Sequence, residues 1–259
     1  MSENIKVAIL GSAESTVLIA DVLKAAALDV TTLTPLKPGA APTDEFTAAV
    51  TSADLVLCLL MPNIALKTAT DLAPQLKSGA LYADFSATAP ALKRQLAELF
   101  TEENFVDAML VSDSEDTKSS LVLAGSGAAK LTELLEATEL EIENISEIPG
   151  KVAARRVLRS VLDKSLAASL IDFLWMAESV GEKDWAYAEI MQEFETSSPQ
   201  TAQNYLSDTA KNFKRLQMEL MDALEAMREF GHESTMAAPI DYTYGSMMHG
   251  KKIPFSNGK

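Results

Sequence analysis

The sequence predicts an α/β domain with a mostly parallel sheet, followed by an all-α domain. Three observations carry this expectation. Between residue 5 and about residue 145, short β-rich runs alternate with helical patterns, as parallel βαβ units require. Several of those runs are apolar on both faces, which suits strands covered by helices on each side. After Pro149-Gly150 the strand pattern stops, and residues 152–180 contain neither proline nor glycine. The predicted division is 1–149, 150–250 and a loose tail at 251–259. With 259 residues and 47% hydrophobic content, the chain can bury a sizeable core.

The strands are expected at 5–10, 30–33, 55–60, 81–85, 105–110, 121–124 and 141–145. Helices are expected at 15–27, 62–73, 90–100 and 127–137; Pro62 and Pro90 suit a first helical turn, where a missing amide donor costs nothing. Beyond the Pro149-Gly150 hinge come helices at 152–180, 183–195, 199–230 and 234–248. The first of these is roughly 40 Å long at 1.5 Å per residue. Its apolar surface calls for cover by other helices, so a homodimer through the helical domain is expected.

A formal net charge of -15 opposes binding to a phosphate backbone, so no nucleic-acid partner is expected. A few local cations can still hold a small anion. Cys58, the one cysteine, sits in an apolar run and reads as a buried thiol. The first residues lack the pattern of a signal peptide and no apolar run spans a bilayer, which predicts a cytoplasmic protein without a membrane partner. His232 and His249 are not at metal-ligand spacing, so no metal is expected.

The first turn reads Gly11-Ser12-Ala13-Glu14-Ser15-Thr16. In a Rossmann-type dinucleotide site this turn is G-x-G-x-x-G, whose glycines allow a tight turn and close approach of the pyrophosphate. Here Ala13 and Thr16 replace two of them, and Glu14 adds a negative charge. The helix N-terminus still offers free amides, with Ser12 and Ser15 as extra donors. The second strand runs into Thr34 where an NAD site carries an acid, and Lys37 follows three residues on. That pairing favours NADP; NAD, or no cofactor, are the alternatives, as is a solvated role for Lys37.

The segments 53–63, with Met61-Pro62, and 79–90, with Ser86 and Thr88 before Pro90, resemble the β-hydroxyacid dehydrogenase family. The similarity is to its branch with a 6-phosphogluconate dehydrogenase-like helical C-terminal domain, which includes the 3-hydroxyisobutyrate dehydrogenases. The resemblance implies that Met61, Pro62 and Ser86 lie against the cofactor and that Thr88 is near the substrate. Asp107-Ala108 is similar to the start of the family's D-A-P-V-S-G-G segment, but Ser112-Asp113 departs from its end. Ser112 is the substrate-binding candidate there, and Asp113 would repel a carboxylate.

Gly150 resembles the family glycine that lies six residues before a catalytic lysine, and the count lands on Arg156. Arginine cannot act as a base near neutral pH, though it can polarise a carbonyl or clamp an anion. Arg156, Ser160, Asp163 and Lys164 form one polar stripe on the long helix. Lys164 is the candidate replacement acid and Ser160 a substrate contact, with an internal ion-pair network as the structural alternative. The resemblance therefore implies an NAD(P)-dependent oxidoreductase, preferring NADP, that acts on a small carbonyl, imine or hydroxyacid. The alternative is a catalytically degenerate dimeric relative that binds another anionic ligand or a protein partner.

Overall fold

A computed structural model describes residues 4–12, 14–36, 42–100, 103–112 and 119–257, without the side chain of Ser112. The chain forms two compact units, Met1–Ser160 and Val161–Lys259. In the first, β1 (Lys6–Leu10), α1 (Glu14–Ala25), β2 (Asp29–Leu33), α2 (Asp44–Ser52), β3 (Leu55–Cys58), α3 (Pro62–Leu72) and β4 (Leu81–Asp84) follow in turn. Next come α4 (Pro90–Ala97), β5 (Phe105–Ser112), β6 (Ser119–Ala124), α5 (Ala128–Leu134), β7 (Glu141–Ser146) and α6 (Lys151–Ser179).

The seven strands order as β2-β1-β3-β4-β5-β6-β7. All neighbours pair in parallel except β5 and β6, which are antiparallel. Strand alternation sends Val7, Ile9, Leu55 and Leu57 to one face, where α1 and α5 bring Ile19, Leu23 and Leu131. Ala8, Leu10, Val56 and Cys58 go to the other, against Phe46 and Val50 of α2, Leu72 of α3 and Leu96 of α4. The doubly covered sheet follows from these two apolar sets on the same strands.

Two details differ from the sequence expectation. Helix α2 was not anticipated; its start is fixed by the Thr43 side chain, which accepts from the Phe46 amide, and it buries Phe46 and Val50. The expected hinge at Gly150 is a packed joint. Gly150 has φ +90°, a Cβ there would press on the carbonyl oxygen of Pro90, and its amide donates to Asp107 Oδ2 at 3.0 Å. The first unit accordingly runs on to Ser160: Val152 and Ala153 are fully buried, and Ala153 N also donates to Asp107 Oδ2 at 3.1 Å.

The second unit holds the rest of α6 with α7 (Lys183–Thr196), α8 (Pro199–Glu229) and α9 (Ala237–Met248). Ser198 and Thr201 form a capping box ahead of α8, with Pro199 in the first turn. Helix α9 begins three residues later than expected because Ser234 and Thr235 turn to bind Asp172 of α6. In the tail segment, Gln203 of α8 donates to the Phe255 carbonyl at 2.8 Å. Among the described residues, no helix is long and apolar enough to cross a membrane.

Candidate functional site

The chain leaves β1 for β2 on one side and returns for β3 on the other, which opens a crevice beyond the carboxyl ends of these strands. A cavity of about 710 Å³ lies there. Its wall takes Ser12 and Ser15 from the first turn, Thr34 and Pro35 from the end of β2, and Leu59 to Pro62 from the end of β3. Phe85 and Ala87 follow β4, Met109 and Leu110 come from β5, and Arg156 from the first turns of α6. The lining is mostly apolar with a few convergent polar groups and one cation, the usual composition of a small-molecule site.

At the first turn, Gly11 is buried and its amide donates to the Leu33 carbonyl at 3.1 Å, tying the end of β1 to β2. A Cβ on Gly11 would overlap Thr16 Oγ1 and lie 3.1 Å from Leu59 Cβ. Thr16 is 1% exposed and its hydroxyl has no hydrogen-bond partner among the described residues. Gly11 therefore passes close to Leu59, just beyond β3, and Ser12 and Ser15 on either side of the start of α1 face the cavity. Glu14 is exposed in the first turn of α1, where its charge complements the helix dipole. The space, the donors and the close turn fit a dinucleotide: the pyrophosphate would lie against Ser12, Ser15 and the α1 amides, and the ribose beside Thr34 and Pro35.

Behind the crevice wall sits an ionic cluster that the sequence reading missed. Asp84 and Asp107 are register partners on β4 and β5, and Lys93 of α4 reaches both. All three side chains are fully buried. Lys93 Nζ donates to the Asp84 carbonyl at 2.6 Å and lies 2.8 Å from Asp84 Oδ2. It is 3.1 Å from Asp107 Oδ1, an ionic contact off the line of a directed hydrogen bond. Asp107 Oδ2 caps α6 through the amides of Gly150 and Ala153.

Arg156 closes the arrangement. Its Nη1 donates to the Ser86 carbonyl at 2.6 Å and its Nη2 to the Ala108 carbonyl at 3.2 Å. Burial pulls the guanidinium below its usual range, and the carboxylates of Asp107 and Asp84 oppose that shift. It stays a cation, so it can attract or polarise an oxygen but not remove a proton.

The structure thus brings Ser12, Ser15, Thr34, Met61, Pro62 and Arg156 to one crevice; Gly11, buried, and Glu14, exposed, adjoin Ser12 and Ser15 in sequence but do not line it. Ser86 and Thr88 are buried and turned inward: Ser86 Oγ donates to Asp84 Oδ2 at 2.6 Å and to Thr88 Oγ1 at 3.4 Å. The wall there is formed instead by their neighbours Phe85, before Ser86, and Ala87, between the two. Ser160 is half-buried at the end of the first unit and Lys164 lies exposed in the second; each has interactions of its own. Ala13, Lys37, Asp113 and the side chain of Ser112 lie outside the described residues. Cys58 is fully buried, and burial pushes its thiol well above the ordinary range, so it is no nucleophile. Among the described residues, no cluster of three or more His, Cys, Asp or Glu is placed to hold a metal ion.

Topology and crevice together define an α/β dinucleotide-type fold with a helical C-terminal region, and comparison with known proteins gives it as the 3-hydroxyacid dehydrogenase-like fold. No family model matches the chain. An uncharacterised 28.5 kDa protein in the 7S RNA 5' region of Methanothermus fervidus is 30% identical over 146 residues, 56% of this chain. The match spans 56% of that relative's length, about half. A conserved protein of unknown function, described as structurally similar to 3-hydroxyacid dehydrogenases, aligns with a TM-score of 0.59 at 20% identity, over 95% of this chain and 97% of that one. An imine reductase from Myxococcus stipitatus in complex with NADP+ gives a TM-score of 0.70 at 14% identity, over 96% of each chain. A variant of it in complex with NAD+ gives 0.72 at 14% identity, again over 96% of each.

Proposed function

We propose that this chain is an NAD(P)-dependent oxidoreductase that prefers NADP and acts on a small carbonyl, imine or hydroxyacid. The observation that carries the reading is the crevice at the crossing between β1 and β3, walled by the ends of β1 to β4 and by Met109 and Leu110 of β5, with the start of α1 at one side and the fixed cation Arg156 in its lining. The solved proteins of like fold that carry NADP+ or NAD+ support a nicotinamide cofactor. Bound there, the cofactor would supply or accept a hydride. The chain's own part is to hold the phosphates at Ser12, Ser15 and the first amides of α1, to keep water off with Leu59, Met61, Phe85 and Met109, and to set a charge beside the reacting oxygen or nitrogen with Arg156. Thr34, rather than an acid, beside the ribose is what favours the 2'-phosphate of NADP.

The deciding experiment titrates NADPH and NADH while following nucleotide fluorescence and thermal stability. A ligand at 100 times its dissociation constant stabilises by about 2.7 kcal/mol, a readily seen shift. A larger shift with NADPH is expected. The absence of any shift at millimolar concentration of either nucleotide would overturn the redox reading and leave the crevice to another anion.

The proposal includes a homodimer through the helical region. Leu158, Leu162 and Leu166 form a row on α6 at four-residue spacing, 71%, 61% and 46% exposed, and Val157 and Val161 lie alongside. A cytoplasmic setting suits the single cysteine, held as a buried thiol.

A further inference from the structure

Lys93 raises a question that packing alone does not answer. A buried ammonium gives up its hydration, and a methionine of similar volume would fill the same space without that cost. Ion pairs of this kind contribute little to net stability over an apolar replacement; what they add is direction. Lys93 joins two places, Asp84 at the end of β4 by hydrogen bonds and Asp107, the third residue of β5, by an ionic contact.

The same two segments are held a second time. Arg156 bonds the carbonyl of Ser86, two residues beyond Asp84, and that of Ala108, one residue beyond Asp107. The two cations are linked through Asp107, whose second oxygen receives the Gly150 and Ala153 amides at the start of the helix that carries Arg156. Counted together, two aspartates face one lysine and one arginine, so the cluster is neutral only when both cations are present.

We propose that Lys93 is the positioning residue of the crevice: by bridging Asp84 and Asp107 it fixes the end of β4, the adjoining part of β5 and the α6 N-terminus that aim Arg156 at the bound ligand. Lys93 does not line the crevice, and its ammonium is engaged by the Asp84 carbonyl and the two carboxylates. It therefore acts through Arg156 and through the backbone at Ser86, not as a proton donor. The functional half of this proposal rests on the dinucleotide reading above; the structural half does not.

The test removes the bridge without leaving a charge unpaired. Lys93→Met combined with Asp84→Asn deletes one cation and one anion, keeps an oxygen for the Ser86 hydroxyl, and leaves Asp107 opposite Arg156. The readout is the nitrogen and proton resonances of the Arg156 guanidinium, assigned by their loss in Arg156→Lys. In the unaltered protein, two Nη atoms bonded to carbonyls should give separate, slowly rotating signals. In the double variant these should merge, with the dissociation constant for NADPH raised about tenfold at unchanged cooperativity of unfolding. Asp84→Asn alone, the milder change, should speed the rotation part of the way and serves if the double variant does not fold. Folded variants with unchanged Arg156 signals overturn the proposal. If the unaltered protein binds no NADPH, the redox reading fails while the rotation measurement still decides the role of Lys93.

Discussion

Gly11 has two reasons to lack a side chain, and only one could be read from the sequence. The turn motif supplies the first, close approach of a phosphate. The second is Thr16, whose buried hydroxyl occupies the space a Cβ would need. Gly11→Ala should cost about 1–3 kcal/mol, as overpacking in a dense core does. Thr16→Ala in that background should recover part of the loss, and alone should be near neutral because the hydroxyl it removes has no hydrogen-bond partner among the described residues. Urea denaturation of the four proteins in this cycle gives the coupling; additive losses would show that Leu59, not Thr16, sets the limit. Lys93, Asp84 and Asp107 were legible in principle. Two aspartates interrupt strands that are otherwise apolar, and a lysine stands three residues before Leu96 on the buried face of α4. Each looks ordinary alone, and the strand register that brings the aspartates side by side is not written in local sequence.

Among the elements, periodicity and punctuation placed what was strongly patterned. Pro62, Pro90 and Pro199 each sit in the first turn of a helix, and the 29-residue α6 lies within one residue of its expected ends. Short elements followed tertiary demands instead. Helix α2 has only nine residues, and the antiparallel turn of β6 within a parallel sheet has no local signature. The late start of α9 is set by Asp172, 62 residues before Ser234. Its carboxylate accepts from Ser234 Oγ at 2.5 Å, Thr235 N at 2.8 Å and Thr235 Oγ1 at 2.9 Å, with His232 Nε2 at 3.7 Å. Burial pushes its pKa up, but those hydrogen bonds together outweigh burial and hold it below the usual carboxylate range. A depressed folded value means that the group adds stability above the unfolded value, near 4, and loses it as pH falls through the folded value. Asp172→Asn should therefore flatten the acid limb of the stability curve below about pH 4. Equal acid sensitivity of the two proteins by urea unfolding from pH 2 to 7 would rule this anchor out.

For the molecule as a whole, the α/β-then-helical plan was legible because the hydrophobic period changes once along the chain. The oxidoreductase reading came instead from the resemblance at 53–63 and 79–90, because the turn that usually reports a dinucleotide carries Ala13 and Thr16 and the usual lysine position carries Arg156. Assembly can be tested at the same scale. Leu162→Glu, placed in the exposed row of α6, should shift the sedimentation coefficient from a dimer to a monomer at micromolar concentration without loss of helix content. An unaltered protein that already sediments as a monomer would remove the dimer. The net charge of -15 works against association, so the dimer should tighten as salt rises.

The long helix α6 belongs to both units: its opening turns supply the amides that Asp107 needs and the guanidinium that staples β4 to β5. A gene cut at the Pro149-Gly150 punctuation would thus yield a sheet fragment missing its own keystone. Recombination that exchanges the C-terminal half for another must cross beyond Ser160 if the recipient is to inherit a complete crevice, so the unit of inheritance here is longer than the unit the turn residues mark out.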